Sequence, residues 1–581
     1  MKPPDALPEP DSPSRPPAAG RAPLLWIVLP LLAGYICGDL WPAVSPKILL
    51  ALGLAPLALF VAVRAPAQAF HQRGNFRAWV GCFLLAGLLL AWAWHDARVP
   101  IPPALWSRLP PREATLTLRV TYVYAPRPDD LTRAALGRVV VAPEVLPELR
   151  GVQVYFRGQL RPGEPPPVRG ATFQLTGLLA YIDPAFSLKN AAPATAAGAR
   201  FNAYLRHQGV WFTLKRWHLY REAAPPPALQ TWLVAQNERL ERSLRRGPAV
   251  LENSFGDIYI AMLLGKTTLL DDTQREAFTL TGVMHLFAIS GLHVAIMAGA
   301  LWWCLRRVPR LPPLAGDAVT LAFLWLYTEI TGGSPSARRA ALMFTFYVAA
   351  RWLQRPRASL AAWVAASVVT LALDPTALWS PGFQLSYCVV LGLLLYALPL
   401  LHWARARFTL WRDLPASGRA PWQKCTLWLW DKVLASAAIS WTALLCSTPL
   451  TAEYFGVVSA SGLLLNLLLV PLVSVVLCAG VAAMLFGLVP WPPFTWLSWC
   501  ANAIGLAGTA IMDGLVGVAG EIPGLHLRLQ LEPYWSGQVA AVAVLVVMLA
   551  ARPRARAPRP WVFLLPLVVL AVFGVLTARP V

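Results

Sequence analysis

The feature that most constrains this chain is its repeated apolar runs of about 17–25 residues, the length that a hydrocarbon core about 30 Å thick demands of a spanning helix. Roughly a dozen such runs can be counted, separated by short joints rich in Arg or in Pro and Gly. Composition agrees: of 581 residues, 57% are apolar and 14% charged, and the mean hydropathy is +0.52. The expected fold class is a polytopic α-helical membrane protein with about 11–13 spans.

The first run, "PLLWIVLPLLAGYICGDL" from Pro23, follows a Pro-rich leader over residues 1–22 that carries Lys2, Arg15 and Arg21. No A-x-A-like cleavage site follows it, so it reads as an anchor and not as a removed signal peptide. Three spans are expected before residue 95, this first one at about 24–41 and two more at about 47–63 and 78–94. Arg64, Arg73 and Arg77 make the joint after the second span cytoplasmic by the positive-inside rule. The N-terminus is then cytoplasmic and the third span ends outside. The eight cysteines are scattered singly, with neither metal-type spacing nor a disulfide framework.

A polar segment runs from Asp96 to Arg246. Its first part alternates and is β-branched ("ATLTLRVTYVY", "GRVVVAPEV", "VQVYFRGQL", "ATFQLTGLLAYI"), with Pro/Gly joints, which predicts a small antiparallel barrel or sandwich. The segment holds 21 Lys and Arg against 11 Asp and Glu, nearly half of the chain's net +21. Positive-inside bias does not account for a basic outer domain, whereas attraction to a polyanion does; the competing reading is an Arg-rich surface that merely aids solubility.

Beyond residue 250 the chain is almost all membrane. Arg306, Arg307 and Arg310 mark one inner joint, Arg351, Arg355 and Arg357 the next, His402 to Lys432 a third, and "RPRARAPRP" at 552–560 the last. Each pair of clusters brackets two spans, as helical hairpins require.

Polar residues at membrane depth are costly and face a bundle interior or a wet cavity. In "GVMHLFAISGLHVAIMAGALWW" the pair Ser290-Gly291 is a helix break whose second half offers free N–H groups and a positive dipole end to an anion. His285 and His293 are about 80° and 12 Å apart on a continuous helix, too far to share one zinc ion. Ser290 lacks a nucleophile elbow, and no acidic residue lies nearby in sequence to orient a histidine. In "YTEITGGSPSARRAALMF" Ser336 is expected to cap a helix whose first turns carry Arg338 and Arg339, either a phosphate-shaped site or two arginines snorkelling to the interface. In "DPTALWSPGFQLSYCVVLGLLLY" Asp374-Pro375 stops a helix, and Gln384 and Ser386 enter the next; Pro449, Glu453, Asn466 and Pro471 lie in or beside two more spans. Such groups mark cavities or packed crossings, and both readings stand.

Together these stretches resemble the ComEC family of competence channels. "GVMHLFAISGLHV" is close to the family's signature, followed by "RRAALM", "DP…GFQLSY" and "N…VP" at Asn466 and Pro471, over roughly residues 230–550. The outer segment resembles the family's OB-like domain, down to "RFNAYLRHQGVWFTLK". The resemblance implies a leader at 1–22, N-terminal transmembrane helices at 23–95, an outer OB-like domain at 96–225 inserted after the third span, amphipathic or interfacial connecting helices at 226–283, a channel domain at 284–551, and a basic loop and last span at 552–581.

It further implies a multi-pass protein of the bacterial inner membrane that carries transforming single-stranded DNA. The DNA path would involve His285, Ser290, Gly291, His293, Arg338, Arg339, Gln384, Ser386 and Asn466; on the outer domain Arg119, Tyr122, Tyr124, Tyr155, Phe156 and Arg157 are candidate contacts, half of them core by strand alternation. Single-stranded DNA and membrane lipid would be the partners, with a separate DNA receptor, a cytoplasmic ATPase and a separate nuclease. No Walker A loop and no H-x-H-x-D-H cluster of the family's metallo-β-lactamase-like domain occurs in these residues, so neither catalysis, cofactor nor metal is expected. The outer segment has no cysteine for the disulfide of some relatives, and "LLGKTTLL" places Lys266 where the family often has a carboxylate. The alternatives are a transporter of another anionic or lipid-linked polymer, and an intramembrane hydrolase built on His285, Ser290 and His293.

Overall fold

The computed structural model describes residues 25–41, 45–62, 73–99, 102–103, 105–124, 132–182, 193–307, 311–355, 358–411, 418–533, 535–550 and 563–580. The leader, Arg64, Arg310, Arg357 and the basic segment 552–560 lie outside the described residues.

Three helices open the chain: α1 (Leu25–Leu40), α2 (Pro46–Ala62) and α3 (Arg73–Arg98). The outer segment then folds as β1 (Arg112–Val123), β2 (Thr132–Val141), β3 (Gln153–Gln159), β4 (Thr172–Tyr181), α4 (Pro193–His207) and β5 (Val210–Ala224). The strands close into a barrel in the order β1-β2-β3-β5-β4, with β3 and β5 parallel and the other ladders antiparallel. Closure removes the sheet edges, and alternate residues such as Leu116, Leu118, Phe173 and Leu175 fill the interior. This is an OB-like barrel.

The remaining helices are α5 (Ala228–Leu244), α6 (Ala249–Leu264), α7 (Asp272–Leu280), α8 (Gly291–Leu305), α9 (Pro313–Ile330), α10 (Pro335–Trp352), α11 (Ser359–Leu373), α12 (Pro381–Gly392), α13 (Leu398–Phe408), α14 (Pro421–Phe455), α15 (Ser461–Gly487), α16 (Pro492–Glu521), α17 (Ser536–Ala550) and α18 (Leu565–Thr577). A π-helical turn, Leu393–Ala397, joins α12 to α13. A small antiparallel sheet of β6 (Val457–Ser459), β7 (His526–Leu531) and β8 (Ala578–Pro580) ties together the segments that follow α14, α16 and α18.

Among the described residues five helices are long and apolar enough to cross a membrane: Val80–Arg98, Pro381–Phe408, Pro421–Phe455, Ser461–Gly487 and Pro492–Glu521. Six further apolar helices are shorter, with 10–17 residues. The expected runs are therefore present in part as shorter pieces. A break at Ser290 shortens α8, and α9 and α10 carry Asp317, Glu329, Arg338, Arg339 and Arg351.

The largest core surrounds α6, whose Ile258–Leu264 is buried on every side against α15 and α16. A stretch that is apolar all round belongs in such a position, while the part of α6 ahead of it keeps polar groups, Glu252 and Asp257 among them, that pair with Arg245. Among the described residues the barrel domain meets the helices at the end of α4, where His207 Nδ1 lies 3.3 Å from Asp39 Oδ1 of α1, and ahead of β4. Gln208 Nε2 donates to Thr376 O at 3.1 Å, with His207 stacked on Trp379 at 5.1 Å beside it. Arg169, ahead of β4, approaches Glu329 at the end of α9 to 3.8 Å.

Candidate functional site

The break predicted at Ser290 is present. A 3₁₀ turn over Met284–Leu286 precedes it, and Ser290 caps α8 by accepting from His293 N. Ser290 Oγ and His293 Nδ1 lie 2.8 Å apart, so the serine and histidine satisfy one another at the helix start. His285 turns to Gly282 O at 3.1 Å. A hydroxyl beside an imidazole is a nucleophile–base pair, but among the described residues no carboxylate reaches His293 Nε2 to orient it. Among the described residues no group of three His, Cys, Asp or Glu side chains is placed to hold a metal.

α10 presents three successive residues to three neighbours. Ser334, not Ser336, caps it, because the chain enters the helix at Pro335 and Ser334 Oγ is the group that reaches Ala337 N. Arg338 forks onto Glu329, with Nε to Oε1 at 2.9 Å and Nη2 to Oε2 at 2.7 Å. Arg339, only 3% exposed, donates to Gly382 O at 2.6 Å and lies over the Tyr387 ring. Ala340 is the residue that faces Gly291. The two arginines and the Ser290 break therefore do not form one site: Arg338 closes the α9–α10 joint, and Arg339 fastens α10 to the first turn of α12.

Gln384 belongs to a crossing of α12, α14 and α17. Its Nε2 donates to Leu378 O at 3.0 Å and its Oε1 accepts from Tyr454 at 2.7 Å. Tyr454 in turn accepts from Gln538 Nε2 at 3.1 Å, and Glu453 accepts from Gln538 N at 2.9 Å at the start of α17, where a carboxylate meets the positive helix end. Here the packed crossing, and not the cavity, is the reading that the geometry supports. Ser386 is half-buried on α12, and Asn466 on α15 has a buried Oδ1 without a hydrogen-bond partner.

On the barrel, Arg119 and Arg157 are exposed, and Tyr122 is 44% exposed. Tyr155 and Phe156, though adjacent, are both buried. Phe156 enters the barrel, while Tyr155, 7% exposed, is covered by Phe201 of α4. Strand alternation would expose one of the two; the helix packed on the outside removes Tyr155 from the surface. Tyr124 lies between Tyr122, Tyr155 and Phe201, and burial raises its hydroxyl pKa. Register adds two residues that sequence reading did not single out. Arg119 pairs with Arg138 across β1 and β2, and Arg157 with Lys215 across β3 and β5. All four are exposed. Pairing register is a long-range property, so no local signal marked Arg138 or Lys215.

The fold and these sites define a polytopic helical membrane protein with a basic OB-like barrel docked on its bundle. The profile of the Competence protein family matches residues 262–577, more than half of the chain. The chain belongs to this family, that of the ComEC-type competence proteins. It is 31% identical over 230 residues to ComE operon protein 3 of Bacillus subtilis (strain 168), covering 37% of this chain and 28% of that protein. Recombination protein 2 of Haemophilus influenzae is 27% identical over 237 residues, 39% of this chain and 27% of that protein. Competence protein ComA of Neisseria gonorrhoeae is 31% identical over 173 residues, 28% of this chain and 25% of that protein. The matched regions thus span less than a third of each relative's length. No solved structure matches.

Proposed function

We propose that this protein conducts single-stranded DNA across the bacterial inner membrane during natural competence, with its N-terminus in the cytoplasm and the barrel on the outer face. The observation that carries the reading is the pairing of Arg119 with Arg138 and of Arg157 with Lys215 on a closed barrel. Like charges directly opposite one another destabilise a sheet, and an anion between them reverses that sign. The barrel docks where Glu329 ends α9 and Thr376 precedes α12, beside the helix starts that follow Gly332 and Ser380. A strand held there meets the bundle at its outer ends.

In this reading Tyr122 is the accessible stacking residue, and Arg119, Arg138, Arg157 and Lys215 hold phosphates. Ser290, Gly291 and His293 shape the broken helix near the path, while Arg338, Arg339 and Gln384 hold the helices that frame it. A DNA receptor, a cytoplasmic ATPase and a nuclease act as separate proteins.

The test is import of labelled DNA into the cytoplasm of the native host, comparing wild type, a gene deletion and Arg119→Glu/Arg157→Glu with membrane expression checked. Loss of cytoplasmic label in the deletion and the double variant, with label still bound outside the inner membrane, is the expected result. Normal import by the deletion strain overturns the reading in favour of another anionic polymer.

A further inference from the structure

The hairpin made by the end of α13 and the start of α14 outruns the rest of the bundle. α14 has 35 residues, which amounts to about 52 Å at ~1.5 Å per residue. Tilted by the usual ~20° it still spans about 49 Å, more than the ~40–45 Å of hydrocarbon core plus headgroups. Its far end is fixed where Glu453 meets Gln538 N, so the excess falls at the Pro421 end. Among the described residues the neighbouring helices stop short of that end. Met548, near the end of α17, meets Cys446 at 3.7 Å, and Phe563, just ahead of α18, packs on Trp403 at 5.3 Å. Among the described residues the tip is held by its own two arms: Arg405 forks onto Asp431 at 2.6 and 2.8 Å, and Trp430 Nε1 donates to Phe408 O at 2.7 Å.

The tip presents aromatic and cationic groups. Trp422 and Trp428 are 62% and 63% exposed. Arg407, Lys424 and Lys432 are exposed, and Lys432 Nζ stands over the Trp428 ring. From His402 to Lys432 the chain has six Lys and Arg against two Asp and Glu. Interfacial anchoring places tryptophans in a belt at one depth. Trp422 and Trp428 are instead separated by about 9 Å along the helix axis, with Trp422 at the tip. Indole faces interleaved with ammonium and guanidinium groups are the chemistry that holds single-stranded nucleic acid without reading its sequence.

We propose that the α13–α14 hairpin is a cytoplasmic docking platform for single-stranded nucleic acid leaving the bundle. The platform rests on the DNA-conduit reading for the arrival of the strand and adds to it a surface at the opposite end of the protein from the barrel. Stacking on Trp422 and Trp428 and phosphate contact by Lys424 and Lys432 capture the strand, with weak, salt-sensitive contacts that let it pass on.

The experiment uses full-length protein in phosphatidylcholine nanodiscs, with a photo-crosslinking residue replacing Trp428 or, separately, Arg157 on the barrel. A short labelled oligonucleotide is added as a single strand or as a duplex and illuminated. The expected result is capture of the single strand from position 428, poor capture of the duplex, and loss of capture as salt rises. Trp422→Ala and Trp428→Ala, at exposed positions whose ring contacts are to the neighbouring Trp411 and Lys432 of the same hairpin, each weaken strand affinity about tenfold in the same nanodiscs. Lipid as the sole product at position 428, with strand still captured at position 157, overturns the platform and leaves the conduit reading standing. A deletion host that imports DNA normally overturns both.

Discussion

Arg351 Nη1 donates to Asp317 Oδ1 at 2.7 Å, and Trp302 Nε1 donates to the same oxygen at 3.1 Å. A single carboxylate, 4% exposed, thus clamps the last turns of α8 and α10 to the second turn of α9. Removing one member of a buried ion pair strands the other charge, at a cost of about 3 kcal/mol or more, whereas replacing both by apolar groups is far milder. Arg351→Ala is expected to lower the thermal midpoint of the detergent-solubilised protein, and Asp317→Leu/Arg351→Met to recover most of the loss. Equal midpoints for Arg351→Ala and wild type would show that the clamp carries no stability.

The contact between Ser290 and His293 decides between a cap and a catalyst. As a cap, Ser290→Ala costs about 1 kcal/mol of helix stability and Ser290→Asp restores it. As a nucleophile, Ser290→Ala abolishes a product and Ser290→Asp does not bring it back. Partial loss of DNA import by Ser290→Ala with rescue by Ser290→Asp is expected; complete loss with both would sink the capping account.

Much of this was legible in the chain because its determinants are local. Apolar runs gave the spanning helices, Ser290-Gly291 the break, Asp374-Pro375 the end of α11, and β-branched alternation the strands of the barrel. What was not legible depends on partners far away in sequence. Tyr155 is hidden because α4 folds back onto β3, Arg339 turns to Gly382 because α12 crosses α10, and Glu453 caps α17 across 85 positions. Ser334 displaced Ser336 as the cap by a two-residue shift at the helix start, the part of an element that sequence specifies least.

The junction of α5 and α6 should be acid-sensitive. Glu241 accepts from Lys266 Nζ at 2.6 Å and from Arg245 at 3.1 Å. Burial alone pushes its carboxyl pKa up, but the hydrogen bonds and charges of Lys266 and Arg245 prevail and hold it below the ordinary value of 4.5. A depressed folded-state pKa contributes stability that is present above the unfolded value and is lost as pH falls through the folded one. Wild type is therefore expected to lose stability below about pH 4.5 more steeply than Glu241→Gln, measured as thermal midpoint against pH. Parallel profiles would show that the pair is not coupled to folding.

The α14–α17 crossing sets a limit on side-chain size that a pair of glycines can expose. A Cβ on Gly537 would run into the carbonyl of Pro449 and stand 2.7 Å from Glu453 Oε2, the oxygen that receives the N–H of Gln538. The carbonyl is backbone within a helix and cannot step aside, so Gly537→Ala must push α17 away from α14 and strain the hydrogen bonds linking Glu453, Tyr454, Gln538 and Gln384. Overpacking of this kind costs about 1–3 kcal/mol. Gly514, inside α16, has nothing within 4 Å of its Cβ position, and alanine there gains helix propensity worth up to about 1 kcal/mol. Gly537→Ala is accordingly expected to lower the thermal midpoint and DNA import together, while Gly514→Ala leaves import unchanged at an equal or higher midpoint. A Gly537→Ala protein as stable as wild type would mean that α17 is free to slide along α14, and that the polar crossing is looser than its hydrogen-bond distances describe.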